Sequence, residues 1–360
     1  MHLTSKDTSI EYTCVSKSNL KMFKHKSVVL LTITLMIVFA TSEPDEVPII
    51  GNSVNILKFH GMLSFTMRVF SSDSEWIFRH PSAKVFKQVT TASRVIKNSP
   101  VFSGDFHMEM CDNYEQLFQA YFRNFTIEGV DKHWRPFMAS WRKNQIAKYF
   151  GIRESLLSEE YKYIFIRIAR VRDNLKMATP SESLEIEESL LDEADNVEIK
   201  DSASTVNFIS KFSGTHYIES FTSGDSLFQV FVYRPEPFKF IKHAFTTRGI
   251  NILFEKSVTN YFSSDFAEYV GKLKTGSGNQ TVEEWASINL FFAHQDPESQ
   301  NILRLYGNER LLARLGNLLW NEALIQLNLK YVSPFFPNKE LSRWLLEFIS
   351  NNLKLWDANL

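Results

Sequence analysis

Cysteine is nearly missing from this chain, with two in 360 residues, Cys14 and Cys111. Two thiols cannot build a disulfide framework, and the single thiol of the mature chain argued below cannot build a zinc site of the thiolate kind. Glycine (13) and proline (11) are too sparse for a collagen-like or low-complexity chain. Net charge is also scarce. The 40 basic and 41 acidic side chains leave −1, so no global basic field exists to hold nucleic acid. The local signatures of common chemistries are absent: no G-x-S-x-G elbow, no H-E-x-x-H and no G-x-x-x-x-G-K-[ST]. His60, His80, His107, His133, His216, His243 and His294 are scattered, with no pair at a metal-ligand spacing. The expectation is a protein with no catalytic residues, no cofactor and no metal.

What is present is core-forming material. Hydrophobic residues make up 44% and aromatics 14%, with 31 Phe. A chain of 360 residues exceeds the roughly 250 at which single cores begin to divide. It is globular, and no linker long enough to split it is evident.

Residues 1–42 read as a signal peptide. Lys21, Lys24 and Lys26 form a basic flank before an apolar run, Ser27–Ala40. Ala40 and Ser42 stand at −3 and −1 of a cleavage point between Ser42 and Glu43. The run is 14 residues, about 21 Å as a helix against a bilayer core of about 30 Å. Cleavage and secretion are therefore expected, with initiation at Met1 or Met22. The mature chain would keep 35 basic and 39 acidic side chains, and Cys111 alone. That thiol reads as a small buried hydrophobe, or otherwise as an intermolecular bridge. Two sequons fit the secretory reading: Asn279-Gln280-Thr281, in a polar stretch expected to be a flexible loop, and Asn124-Phe125-Thr126.

Along the mature chain, residues 54–110 carry short extended runs, at 63–69 and 83–89. Asp112 with Glu115 forms a capping-box pattern before a helix whose face is Leu117, Phe118, Tyr121, Phe122 and Phe125. A second helix is expected over Asp131–Tyr149, ended by Gly151. Strict alternation over 161–170 predicts a strand with some polar exposure on both faces. The acidic stretch 182–201 reads as one solvated amphipathic helix burying Leu184, Leu190, Leu191 and Ala194. Strands are expected at 206–212, 226–233 and 249–254, and mixed structure over 259–272. From Val282 the pattern is largely helical, with stripes through Leu311–Leu319 and Leu341–Ile349.

Between the strand signals lies Gly214-Thr215-His216-Tyr217, followed after six residues by Gly224. This resembles the signature of the membrane attack complex/perforin (MACPF) family: aromatic, Gly, Thr or Ser, His, aromatic, six residues, Gly-Gly. Ser213 stands where the family has an aromatic residue, and Asp225 replaces the second Gly. The resemblance covers about residues 55–330. It implies an α+β fold with a bent, twisted antiparallel central sheet, flanking helical clusters and a helical C-terminus. The domains would be a signal peptide (1–42), a MACPF-like domain (43–330) and a helical extension (331–360).

In pore-forming members, two helical clusters unfurl into membrane hairpins. Here such hairpins would be poor. Leu184-Glu185-Ile186-Glu187 begins an apolar–polar alternation that Glu187-Glu188 and Asp192-Glu193 break. Each acidic residue on a lipid face costs a few kcal/mol near the midplane and less toward the interfaces. Asp265, Glu268, Lys272, Lys274 and a glycan at Asn279 burden the second segment. The expectation is a secreted extracellular signalling protein that binds a protein ligand, a receptor-pathway component or matrix. A pore former acting at a membrane surface is the alternative. His216 reads as a half-buried histidine bonding backbone at a sheet bend, with Gly214 and Gly224 permitting φ > 0 or close approach.

Overall fold

The computed structural model describes residues 49–58, 83–95, 105–249, 259–291, 300–320 and 323–359, all within one unit, Val47–Leu360. The expected strands at 63–69 and 249–254, and the signal-peptide run, lie wholly or almost wholly outside the described residues. Two long strands organise the rest, β5 (Lys162–Met177) and β6 (His216–Tyr233). They pair antiparallel from Lys162↔Tyr233 to Lys176↔Ser220. Alternation sorts their side chains into two cores. Tyr163 and Phe165 face the same way as Phe228, Val230 and Val232. Ile164, Ile166 and Ile168 face the other way, with Leu227, Phe231 and Tyr233. Both faces are thus buried, where the sequence suggested polar exposure on each.

β6 is the central strand. One of its edges pairs β5 and then β1 (Ser53–Val54). The other carries β9 (Ala323–Tyr331), β8 (Lys274–Thr275) and β7 (Tyr269–Val270). Beyond β5 lie β2 (Thr91–Val95) and β3 (Asp105–Cys111), on successive halves of its length. β4 (Phe125–Ile127) joins β9 in parallel, so the sheet is mixed rather than wholly antiparallel. Register slips between Val171 and Asp173 in β5, and between Thr222 and Ser223 opposite β9. Bulges of this kind bend a sheet. The fold is α+β.

The first core takes helices α1 (Tyr114–Tyr121), α2 (Arg135–Met138), α3 (Lys143–Phe150), α4 (Glu188–Asp195) and α5 (Ser202–Phe208). The second takes α6 (Pro235–Arg248), α7 (Gln280–Asn289) and α8 (Glu309–Leu318). α9 (Lys339–Asn359) lays Leu341, Leu345, Ile349 and Leu353 on the first core.

Several local readings change. The cap of α1 is Asn113, one residue later than expected, accepting from the Gln116 N–H at 2.8 Å while Gln116 reaches back to the Asp112 N–H at 2.7 Å. Pro136 lacks an N–H and is tolerated only in a first turn, so the expected 131–149 helix starts late and divides into α2 and α3. Gly151 does end α3, at φ 69°. The acidic stretch is not one helix: a short 3-10 turn at Ser181–Ser183 precedes α4, α5 begins only after its cap at Asp201, and Leu191 is only half-buried. Residues 206–212 are helical, because Asp201 caps α5 through bonds to the N–H groups of Ala203 and Ser204. Residues 83–89 make only isolated bridges at Lys84 and Phe86. The largest miss is β9, a core strand within the stretch that read as helical.

Candidate functional site

The signature residues sit where a helical turn hands over to the central strand. After α5 the turn Ile209–Ser213 stops at Gly214, whose φ of 62° is rarely adopted by L side chains. A Cβ there would also lie 2.8 Å from Ser53 Cβ. Thr215 is fully buried. Its hydroxyl accepts from the Ile56 N–H at 3.1 Å and donates to Val54 O at 3.0 Å, tying the β1 segment to the start of β6.

His216 is fully buried rather than half-buried. Its Nε2 lies 2.9 Å from Glu128 O, a carbonyl that can only accept, so Nε2 carries the proton. Nδ1 lies 3.0 Å from the Thr215 hydroxyl, and the ring stacks on Tyr331 with centroids 4.5 Å apart. Burial lowers the imidazole to about 4 against the bond to Glu128, so the ring is neutral at pH 7. A hydroxyl beside an imidazole is the pairing that activates nucleophiles. Here neither side chain is exposed, and the hydroxyl already serves two backbone groups. Tyr217 is buried edge-to-face on Phe86, with centroids 5.1 Å apart.

Eight residues on from His216, Gly224 permits close packing. A Cβ would lie 2.0 Å from Arg170 O and 2.7 Å from Ile325 Cδ1. The next residue, Asp225, is completely buried. Its Oδ1 accepts from the N–H groups of Ser226 (2.8 Å) and Ser277 (3.0 Å), and its Oδ2 from the Ser277 hydroxyl (2.6 Å). Burial raises its carboxyl to about 6, outweighing those three hydrogen bonds. Gln229, also buried, donates to Gly271 O and Gln300 O and accepts from the Ile302 N–H. Asp225 and Gln229 therefore fasten the segment after β6 onto β6 itself. Neither was singled out for this from the sequence, although Asp225 was visible as a departure from the signature.

The stretch expected to be a flexible loop is fixed instead. Thr275, Gly276 and Ser277 are buried, and Glu283 accepts from the Thr275 N–H at 3.0 Å. Asn279 is half-buried and caps α7, its Oδ1 accepting from the Val282 N–H at 3.4 Å. Asn124 is half-buried, its Oδ1 accepting from Arg123 Nε at 3.3 Å. Ser42 and Glu43 lie outside the described residues. Cys111 is buried, which raises its thiol well above the ordinary value and leaves it chemically quiet. Among the described residues no group of His, Cys, Asp and Glu could hold a metal ion, and no helix is long and apolar enough to cross a membrane.

No family model matches the chain, and no curated protein matches it. Solved structures do. GNIP1Aa from Chromobacterium piscinae is similar at 11% identity and TM-score 0.47, covering 85% of this chain and 57% of its own. A MAC/Perforin-domain protein from Bacteroides thetaiotaomicron is similar at 10% identity and TM-score 0.40, covering 86% and 61%. Astrotactin-2, a perforin-like vertebrate membrane protein, follows at 8% identity and TM-score 0.31, covering 75% and 42%. Perforin-like proteins are thus among the structural neighbours. The chain spans about three-fifths of the first two.

Proposed function

We propose that this chain is a secreted MACPF-like signalling protein that acts by binding an extracellular protein, a receptor-pathway component or matrix. In its secretory start, its signature and its short helical C-terminus it resembles Torso-like, a secreted insect protein associated with activation of the receptor tyrosine kinase Torso in terminal embryonic patterning. The observation carrying this reading is the clasp between Asp225 and Ser277. A perforin-type hairpin requires the segment after β6 to leave its place, and here a buried carboxylate and a buried amide hold it at Ser277, Gly271, Gln300 and Ile302. Breaking such a set strands several buried groups, at about 1–3 kcal/mol each. The acidic segment supports the same reading: Glu182, Glu185, Glu188, Asp192, Asp195 and Glu198 are exposed, and each would burden a lipid-facing strand.

Pore formation of the perforin type is the second reading, favoured by the length of β5 and β6, 16 and 18 residues. A lipid-crossing strand needs only about 9–11. Labelled mature protein applied to receptor-bearing cells tests the first reading. Saturable binding, competed by unlabelled protein and abolished by protease treatment of the cells, is the expected outcome. Binding that survives the protease and follows lipid content would overturn it.

A further inference from the structure

A cavity of about 320 Å³ lies between β3, α1 and the turn before α2, walled by Glu109, Gln119, Arg123, Asp131, His133 and Trp134. Small-molecule sites span about 300–1,000 Å³, so this one suits a small ligand. Its charges are largely neutralised from within. Arg123 Nη1 lies against both ring nitrogens of His107, and His107 Nε2 is 2.5 Å from Glu109 Oε1. Arg123 Nη1 also reaches Glu109 Oε1 at 3.3 Å. Burial pushes the Glu109 carboxyl up, but the bond from His107 and the charges of His107, Arg123 and Arg167 outweigh it and hold it below its usual range. Burial likewise lowers His133, against Asp131 and Val130, and so favours its neutral form.

A ligand with a strong charge gains little from such a wall. One offering donors and acceptors on adjacent atoms gains much, because carboxylates accept, guanidinium donates and an amide does both. Trp134 adds an aromatic surface, and its buried indole N–H donates to nothing among the described residues. A pyranose ring has this chemistry: vicinal hydroxyls for the polar groups and a C–H face for the aromatic. One further juxtaposition names a source. Arg123, in the cavity wall, also holds the side chain of Asn124, the asparagine of a glycosylation sequon.

We propose that this cavity binds a neutral pyranose, supplied either by the chain's own glycan on Asn124 or by the glycan of a partner. The first source rests on the secretory reading and the second does not. The probes are N,N′-diacetylchitobiose and methyl α-mannoside, added at millimolar concentration to secreted Asn124→Gln protein in saturation-transfer NMR. Transfer to at least one of them is expected, weakened about tenfold in affinity by Trp134→Phe, which keeps an aromatic ring but removes the N–H and the second ring, and by Gln119→Ala. Transfer from the Asn124→Gln protein that is blocked in the glycosylated wild type assigns the site to the chain's own glycan. Equal transfer in both assigns it to a partner's. No transfer to either sugar from Asn124→Gln protein with a wild-type melting curve would overturn the proposal, as would transfer that survives both cavity substitutions. An Asn124 without glycan would count against secretion, while the binding result would stand by itself.

Discussion

Asp225 accepts from Ser277 twice, from the hydroxyl at 2.6 Å and the amide at 3.0 Å, across 52 residues of chain. The position is one where the MACPF signature has glycine, so a residue without a side chain gives way to a buried anion with a fixed partner. The clasp joins the central strand to the loop that leads into α7, and its energetics set the first expectation.

Asp225→Asn keeps an oxygen for the two N–H groups and an amide for the Ser277 hydroxyl, and removes the buried charge. The folded carboxyl titrates at about 6, above its ordinary 3.8. Its contribution is therefore fully present below pH 3.8 and lost as pH rises through 6. At pH 7.5 the charge costs on the order of 3 kcal/mol, so Asn should hold or raise the melting temperature there. Asp225→Ala strands the donors and should lower it. Equal losses from Asn and Ala in thermal melts would show that the charge itself is required.

His216 titrates in the opposite sense. Its folded value of about 4 lies below the ordinary 6.5. The stability it contributes is present above pH 6.5 and lost as pH falls toward 4, on the order of 3 kcal/mol in all. The two groups oppose each other between pH 4 and 6, so the histidine limb is best read in an Asp225→Asn background. There, melting temperature should fall steeply from pH 7 to pH 4.5, and His216→Ala should flatten the fall while costing about 1–3 kcal/mol at neutral pH. A flat profile before the substitution would place the imidazole in contact with solvent.

Two glycines separate backbone strain from crowding. Gly249 has φ 74° and nothing within 4 Å of an added Cβ, so Gly249→Ala should cost only the left-handed conformation, about 1 kcal/mol. Gly224→Ala drives a methyl to 2.0 Å from a backbone carbonyl that cannot swing aside, and should cost more than about 3 kcal/mol. Gly214→Val combines strain with contact and should also reduce secretion. Denaturant melts of the Ala variants check the ranking. Equal costs at 224 and 249 would contradict the packing described.

Secretion and glycosylation are read on the same sample. The protein in conditioned medium should begin at or near Glu43 by N-terminal sequencing. An amide-cleaving glycosidase should speed its migration on a gel, with Asn279→Gln and Asn124→Gln each removing one increment. Retention of the 27–40 run in a membrane fraction would contradict the secretory reading.

Much of the fold was legible where one physical signal acted alone. The alternation from Tyr161 marks β5 because aromatic and β-branched residues at period two have few other uses. β9 was hidden because Leu324, Leu327 and Leu329 suit a helix as well as a strand, and leucine stripes flank them on both sides. At 206–212 the β-branched and aromatic residues misled, because the capping carboxylate of Asp201 had already started a helix there. In the candidate site, the backbone demands of Gly214 and Gly224 are written in their lack of a Cβ. The partner of Asp225 is not, since nothing local to residue 225 specifies Ser277. The cavity beside Arg123 was equally invisible, because it gathers three separate segments.

The central claim is that the segment after β6 stays clasped to the sheet and the protein acts by binding. The most direct test is dye release from liposomes by purified mature protein at nanomolar concentration. The account predicts no release, from wild type and from an Asp225→Asn protein alike, together with saturable binding to an extracellular protein. Release by the wild type would contradict it.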